Sequence, residues 1–233
     1  MINIVFNTSR RFDLFYETLI SLIEKNEGIE KIVKHVYILD HLSSYSDRKK
    51  MIDLCRIYFK EKVTLFEFNG VEPFDYVDKL NSIQHIFEYD EIILFIEDDW
   101  KCNNKINFDT HINKIIEKEI DIINLSTPIY IQSGEIVAQY RIDNEYWKNP
   151  FPEFYNSPYE NLDNGYILYN VVRMKNFSLT PHIALSNLYK EKTFVKNQNY
   201  EINYADSNNF KQLFTNMMYF EHIGNHKSLE THK

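Results

Sequence analysis

The stretch Ile92-Ile93-Leu94-Phe95-Ile96-Glu97-Asp98-Asp99-Trp100 decides the fold: five consecutive apolar residues end abruptly in three carboxylates. An unbroken apolar run of this length marks a strand buried on both faces, as in a parallel sheet covered by helices. Carboxylates side by side repel one another and cost stability unless a cation or a hydrogen-bond network compensates. Two readings of the run stand at this point. One is a solvated acidic turn. The other is a site for a hard divalent ion, Mg²⁺ or Mn²⁺, shared with substrate phosphates.

Upstream of this stretch the chain alternates between strand and helix patterns. Ile2–Phe6 reads as a buried strand. A helix follows over about Arg11–Lys25, capped by Thr8 or Ser9, with Phe12, Phe15, Leu19 and Leu22 on one face. Lys34–Asp40 is the second strand, Ser44–Phe59 the second helix, Val63–Phe68 the third strand and Tyr76–Phe87 the third helix. Strands separated by helices at this spacing imply right-handed βαβ units in a mostly parallel central sheet flanked by helices, an α/β fold. Ligands of such sheets lie beyond the C-terminal strand ends. Those ends carry Asn7-Thr8-Ser9-Arg10, Asp40-His41, Asn69-Gly70 and Glu97-Asp98-Asp99.

Downstream the pattern loosens. Phe108–Lys118 reads as a helix and Ile120–Leu125 as a strand. Residues 127–158 read as loops or a small β excursion, Tyr166–Val172 as a strand, Pro181–Tyr189 as a helix and Met217–His222 as a short strand.

Composition narrows the function. At 233 residues the chain is long enough for one large domain with a substantial core, and 44% of its residues are hydrophobic. A net charge of −8 without a dense basic run argues against nucleic acid as a partner, since that affinity comes from Lys and Arg on phosphates. Cys55 and Cys102 are too few for a disulfide framework and fit a reducing compartment. The opening strand is too short for a secretory signal, and no apolar stretch is long enough for a membrane span; cytoplasmic work, or a trimmed chain, is the expectation. Five glycines are too few for a dinucleotide fold that needs several in one loop.

The run Phe95-Ile96-Glu97-Asp98-Asp99-Trp100 resembles the acidic motif, an EDDW variant of DxD, of family-2-like GT-A nucleotide-sugar glycosyltransferases. Ile4-Val5-Phe6-Asn7-Thr8-Ser9-Arg10-Arg11 resembles the first strand and nucleotide loop of that family, Asp40-His41-Leu42-Ser43 its second strand end, and Tyr219-Phe220-Glu221-His222-Ile223-Gly224 its closing His-Ile-Gly segment. The resemblance implies one GT-A-like domain over residues 1–233, with a nucleotide-binding half at 1–100 and an acceptor-side half at 101–233. It implies Asp99 and His222 as ligands of Mn²⁺ or Mg²⁺. Asn7, Thr8, Ser9, Arg10 or Arg11, Asp40, Glu97 and Asp98 would hold the nucleotide-sugar, and Trp100 would flank the sugar. The general base would be Glu201, or else Asp206. The implied partners are a nucleoside-diphosphate sugar donor, UDP before GDP, and a hydroxyl acceptor on a glycan, a protein or a small molecule. Three rivals remain at this stage: a donor-binding domain without turnover, a metal-dependent phosphohydrolase, and a carbohydrate-binding module.

Overall fold

A computed structural model describes residues 1–69, 74–126, 129–132, 135–142, 145–149, 159–162, 166–169, 180–190 and 211–224. The first half runs β1 (Ile2–Ser9), α1 (Phe12–Lys25), α2 (Ile29–Ile32), β2 (Val33–His41), α3 (Tyr45–Phe59), β3 (Val63–Phe68), α4 (Phe74–Ile86) and β4 (Ile92–Glu97). The second half runs β5 (Trp100–Cys102), α5 (Phe108–Lys118), β6 (Ile122–Asn124), β7 (Ile129–Gln132), β8 (Glu135–Ile142), β9 (Glu145–Asn149), β10 (Tyr159–Leu162), β11 (Tyr166–Tyr169), β12 (His182–Leu185), α6 (Asn187–Lys190), β13 (Gln212–Thr215) and β14 (Phe220–His222).

The central sheet has nine strands in the order β10-β11-β13-β6-β12-β4-β1-β2-β3. Pairing is parallel from β4 through β1 and β2 to β3, and the register leaves only β11 and β12 opposed to the other strands. The expected mostly parallel α/β sheet flanked by helices is therefore what the chain builds.

Central position explains the apolar runs. Along β1, Ile4 and Phe6 face a core with Phe15, Leu19, Leu22, Met51 and Phe59 from α1 and α3, while Val5 faces a second core with Val77, Leu80 and Ile83 from α4. A strand with apolar neighbours on both faces needs no polar alternation. Burying a side chain such as Phe6 contributes roughly 2 kcal/mol.

Two local expectations are corrected. Pro181–Tyr189 is not a helix: His182–Leu185 forms β12, antiparallel to both β4 and β6, and only Asn187–Lys190 is helical. The open slot between β4 and β6 outweighs local helical pattern, because a strand there satisfies both edges at once. Neither Thr8 nor Ser9 caps α1. Both belong to β1, and the N-cap is Arg11, which makes no side-chain cap bond. The small β excursion expected after residue 127 is the three-stranded sheet β7-β8-β9. Among the described residues no helix is long and apolar enough to cross a membrane.

Candidate functional site

Parallel register brings three strand ends to one level. Asn7 pairs with Glu97 across β1 and β4, and Thr8 pairs with Asp40 across β1 and β2. Beyond Glu97 the chain turns at Asp98 and Asp99 before β5. The Asp98 amide donates to the Asn7 carbonyl (3.0 Å), the Ser9 amide donates back to Asp98 Oδ2 (3.0 Å), and Thr18 Oγ1 of α1 donates to the Asp98 carbonyl (2.8 Å). These bonds fix the acidic turn against the β1–α1 loop.

Asp98 is fully buried and Asp99 is 7% exposed. The Arg11 guanidinium bridges them, with Nη2 on Asp98 Oδ1 and Nη1 on Asp99 Oδ2 at 2.8 Å. Burial pushes the Asp98 carboxyl up to about 7, helped by the Asp99 charge and opposed by Arg11, the Ser9 amide and Lys79. For Asp99, burial alone would also raise the pKa. The hydrogen bond from His222 and the charge of Arg11 outweigh it and hold this carboxyl below its usual range. Neighbours thus separate two adjacent acids, leaving Asp99 the firmly ionised one.

His222 arrives from the far end of the chain. β14 pairs antiparallel with β5, placing His222 opposite Trp100, and the Ile223 amide donates to the Asp99 carbonyl at 2.8 Å. Its Nε2 then lies 3.2 Å from Asp99 Oδ2, and its ring meets Trp100 edge-on at 5.0 Å. Gly224 follows because nothing larger fits: a Cβ there would lie 2.4 Å from Asp99 Oδ2.

Asp40, expected to hold the nucleotide-sugar, is fully buried. Oδ1 accepts from Thr8 Oγ1 (2.9 Å) and Ser43 Oγ, while Oδ2 accepts from the Ser43 amide (3.2 Å) and Arg48 Nε (2.7 Å). A carboxylate offers about four acceptor directions, so those of Asp40 are taken. Asp40 orients the polar groups of the two loops. Arg10 and Leu42 adopt left-handed φ angles of 53° and 60°, and the Arg10 amide donates to Ser43 Oγ (2.9 Å), locking one loop to the other. Arg10 itself is exposed, so Arg11 is the arginine that meets the acidic run.

Sequence patterns did not single out Lys79. It projects from α4 with no solvent exposure, and its Nζ donates to the Thr8 carbonyl at 3.2 Å. Burial lowers its ammonium to about 8, while Asp98, Glu97 and Asp40 hold it up. The available signal was spacing: Lys79 stands one turn before the apolar Ile83, on a stretch where Val77 and Leu80 are buried as well, and a charge there needs a buried partner. Thr18 and Arg48 were missed as well. Glu97, partly buried, accepts from Asn7 Nδ2 at 3.2 Å. Glu201 and Asp206 lie outside the described residues.

Asp99 and His222 fit a divalent cation as two protein ligands. Asp99 Oδ1 and Trp100 Nε1 are buried without a hydrogen-bond partner among the described residues, an arrangement that leaves an acceptor in reserve beside the imidazole. No third His, Cys, Asp or Glu completes a cluster among the described residues. A cation held here would take its remaining ligands from phosphate oxygens and water. A cavity of about 510 Å³ lined by Asn26, Gly28, Lys105 and Phe108 lies at the other end of α1 and shares no residue with the acidic turn.

Several solved structures are similar to this chain. The TarS 1–349 fragment of S. aureus matches over 99% of this chain and 63% of its own, at 18% identity and a TM-score of 0.61. The same fragment in complex with UDP-GlcNAc matches over 95% and 58%, at 18% identity and 0.60. GalNAc-T7 with UDP, GalNAc and Mn²⁺ matches over 95% and 43%, at 10% identity and 0.57. The fold is that of the GT-A glycosyltransferases. The chain thus spans less than two thirds of the TarS fragment it resembles, and at these identities the GT-A likeness speaks for the fold alone. No protein-family model matches the sequence, and no curated protein does. Within the GT-A fold, Asn7–Ser9, Asp40 and Glu97–Asp99 occupy the strand ends where ligands of open α/β sheets lie.

Proposed function

We propose that this chain is a glycosyltransferase that moves a sugar from a nucleoside-diphosphate donor, UDP before GDP, to a hydroxyl on a glycan, a protein or a small molecule. One observation carries the reading: Asn7–Ser9 and His222 reach the Glu97–Asp99 turn from two other segments of the chain, and that turn holds a buried Asp99 oxygen, Oδ1, that has no partner among the described residues. The GT-A fold and the UDP-GlcNAc complex of TarS support the choice of donor.

Residues 1–100 form the nucleotide half in this reading and residues 101–233 the acceptor half. Asn7, Thr8, Ser9 and Arg10 line the nucleotide loop, and Asp40 keeps Thr8 and Ser43 in place. The first-turn amides of α1 lie beside that loop and favour an anion. Asp99 and His222 would hold Mn²⁺ or Mg²⁺, which supplies Lewis-acid stabilisation of the charge developing on the leaving diphosphate. Glu97 and Asp98 set the donor side, Asp98 through its bonds to Ser9 and Arg11. Trp100 flanks the sugar. For a transfer that inverts configuration, a base within hydrogen-bond reach must take the acceptor proton; Glu201 is assigned that role first and Asp206 second. The buried thiols Cys55 and Cys102 suit a reducing compartment such as the cytoplasm.

The test is a thermal-shift screen of UDP, GDP and their sugars with and without Mn²⁺, followed by an assay of sugar release. A ligand that binds only the native state raises its melting temperature. Metal-dependent stabilisation by a nucleoside diphosphate together with sugar release is the expected result. Binding without release would demote the chain to a donor-binding domain, and no response to any nucleotide would end the reading.

A further inference from the structure

Arg11 occupies an unusual place for an N-cap residue. It makes no cap bond; its side chain crosses to the acidic turn, where one guanidinium holds two carboxylates at once. The oxygen it takes from Asp99, Oδ2, is the same one that faces His222 Nε2 at 3.2 Å. A positive group therefore already holds the Asp99 oxygen that a divalent cation shared with His222 would need. The two carboxylates Arg11 bridges are nearly or wholly buried, while its own side chain keeps 22% exposure, so the arginine is the partner with room to move.

We infer that Arg11 is a built-in counter-ion that guards Asp99, so that the chain accepts a divalent cation only together with a nucleoside diphosphate. This rests on the proposed function. Without nucleotide, the acidic turn is neutralised by the contacts of Arg11 and by the nearby charge of Lys79 on α4, and a free cation meets a repelling guanidinium and an occupied Oδ2. A diphosphate offers Arg11 an alternative bidentate anion of higher charge. Arg11 then releases Asp99 Oδ2 and turns to the phosphates, while Asp98 keeps the Ser9 amide and Lys79 as partners. The pairing makes cation and nucleotide affinities depend on each other, and by linkage each strengthens the other by the same factor.

The experiment measures Mn²⁺ affinity by the electron paramagnetic resonance of free Mn²⁺, with and without UDP, in wild type, Arg11→Gln and Arg11→Lys. In wild type, Mn²⁺ alone should bind weakly and UDP should tighten it roughly tenfold or more. Arg11→Gln should bind Mn²⁺ without nucleotide roughly tenfold more tightly than wild type, and the effect of UDP should shrink toward none. Arg11→Lys keeps the charge but cannot bridge two carboxylates, so it should fall between; if Arg11→Gln does not fold, this variant decides. The inference is overturned if both folded variants bind Mn²⁺ alone no more tightly than wild type while wild type keeps its UDP-dependent tightening. Absence of UDP binding in wild type would instead refute the proposed function.

Discussion

His222 Nε2 lies 3.2 Å from Asp99 Oδ2, although 123 positions separate the two residues in the chain. What closes that distance is backbone: β14 pairs with β5, so the two residues sit at the ends of a two-stranded ribbon whose geometry sets their approach. The pairing of residues so distant in the chain therefore needs β4, β5 and β14 together.

Gly224→Ala tests how tightly the ribbon closes on the acid. The added Cβ would sit 2.4 Å from Asp99 Oδ2 and 2.8 Å from its Cβ, so the carboxylate must shift. Overpacking of this sort costs about 1–3 kcal/mol. Urea denaturation should show that loss, and thermal shift should show Mn²⁺-supported UDP stabilisation reduced more than UDP binding without metal.

Asp99→Ala should abolish metal-supported UDP binding while leaving the circular dichroism spectrum unchanged. In the proposed site the residue supplies a ligand oxygen, and its neighbours Asp98 and Arg11 remain paired without it. Wild-type-like Mn²⁺ dependence in this variant would remove Asp99 from the site.

The pH dependence of stability separates buried acids from buried bases. Burial raises Asp98 to about 7 from the 3.8 of an open carboxyl, so the folded state binds the extra proton between those values. The contribution of Asp98 to stability therefore falls as pH rises from about 4 to about 7. His111 and His182 act oppositely: burial lowers each to about 4 from 6.5, so the unfolded chain takes up the proton and stability falls as pH drops through that window. Asp98→Asn should steepen the rise of the urea midpoint between pH 5 and 7, whereas His111→Gln should flatten it. Each effect is at most a few kcal/mol. Identical slopes in wild type and both variants would contradict these assignments.

Lys79→Met should cost stability because it strands acids. Removing one member of a buried ion cluster typically costs about 3–5 kcal/mol, since the remaining charge has no replacement solvent. The loss should be larger at pH 8, where Asp98 is ionised, than at pH 6. The double variant Lys79→Met/Asp98→Asn should recover much of it, a coupling readable from a double-mutant cycle. Additive losses would mean that the two groups do not interact.

Much of the framework was legible because parallel α/β sheets advertise themselves. The apolar run of β4 and the helical spacing of α1 and α3 led to the observed elements within a residue, while β1 runs three residues beyond its expected end, and the strand ends then pointed to Asn7, Asp40 and Glu97. β12 was misread because its four residues have no periodicity long enough to distinguish strand from helix. Arg48 and Thr18 were invisible because their hydrogen bonds, to Asp40 and to the Asp98 carbonyl, cross between elements.

By itself the sequence determined the layers of the sheet, the polar strand ends and the acidic run, because hydrophobic periodicity and local charge are properties of neighbouring residues. Tertiary structure alone decided which cation answers which acid. Arg11 spans Asp98 and Asp99, Lys79 rises under Thr8, and Asp40 is consumed by Ser43, Thr8 and Arg48. The physical reason is that electrostatic pairing depends on distance and burial, and both are set only when strands distant in the chain are hydrogen-bonded side by side.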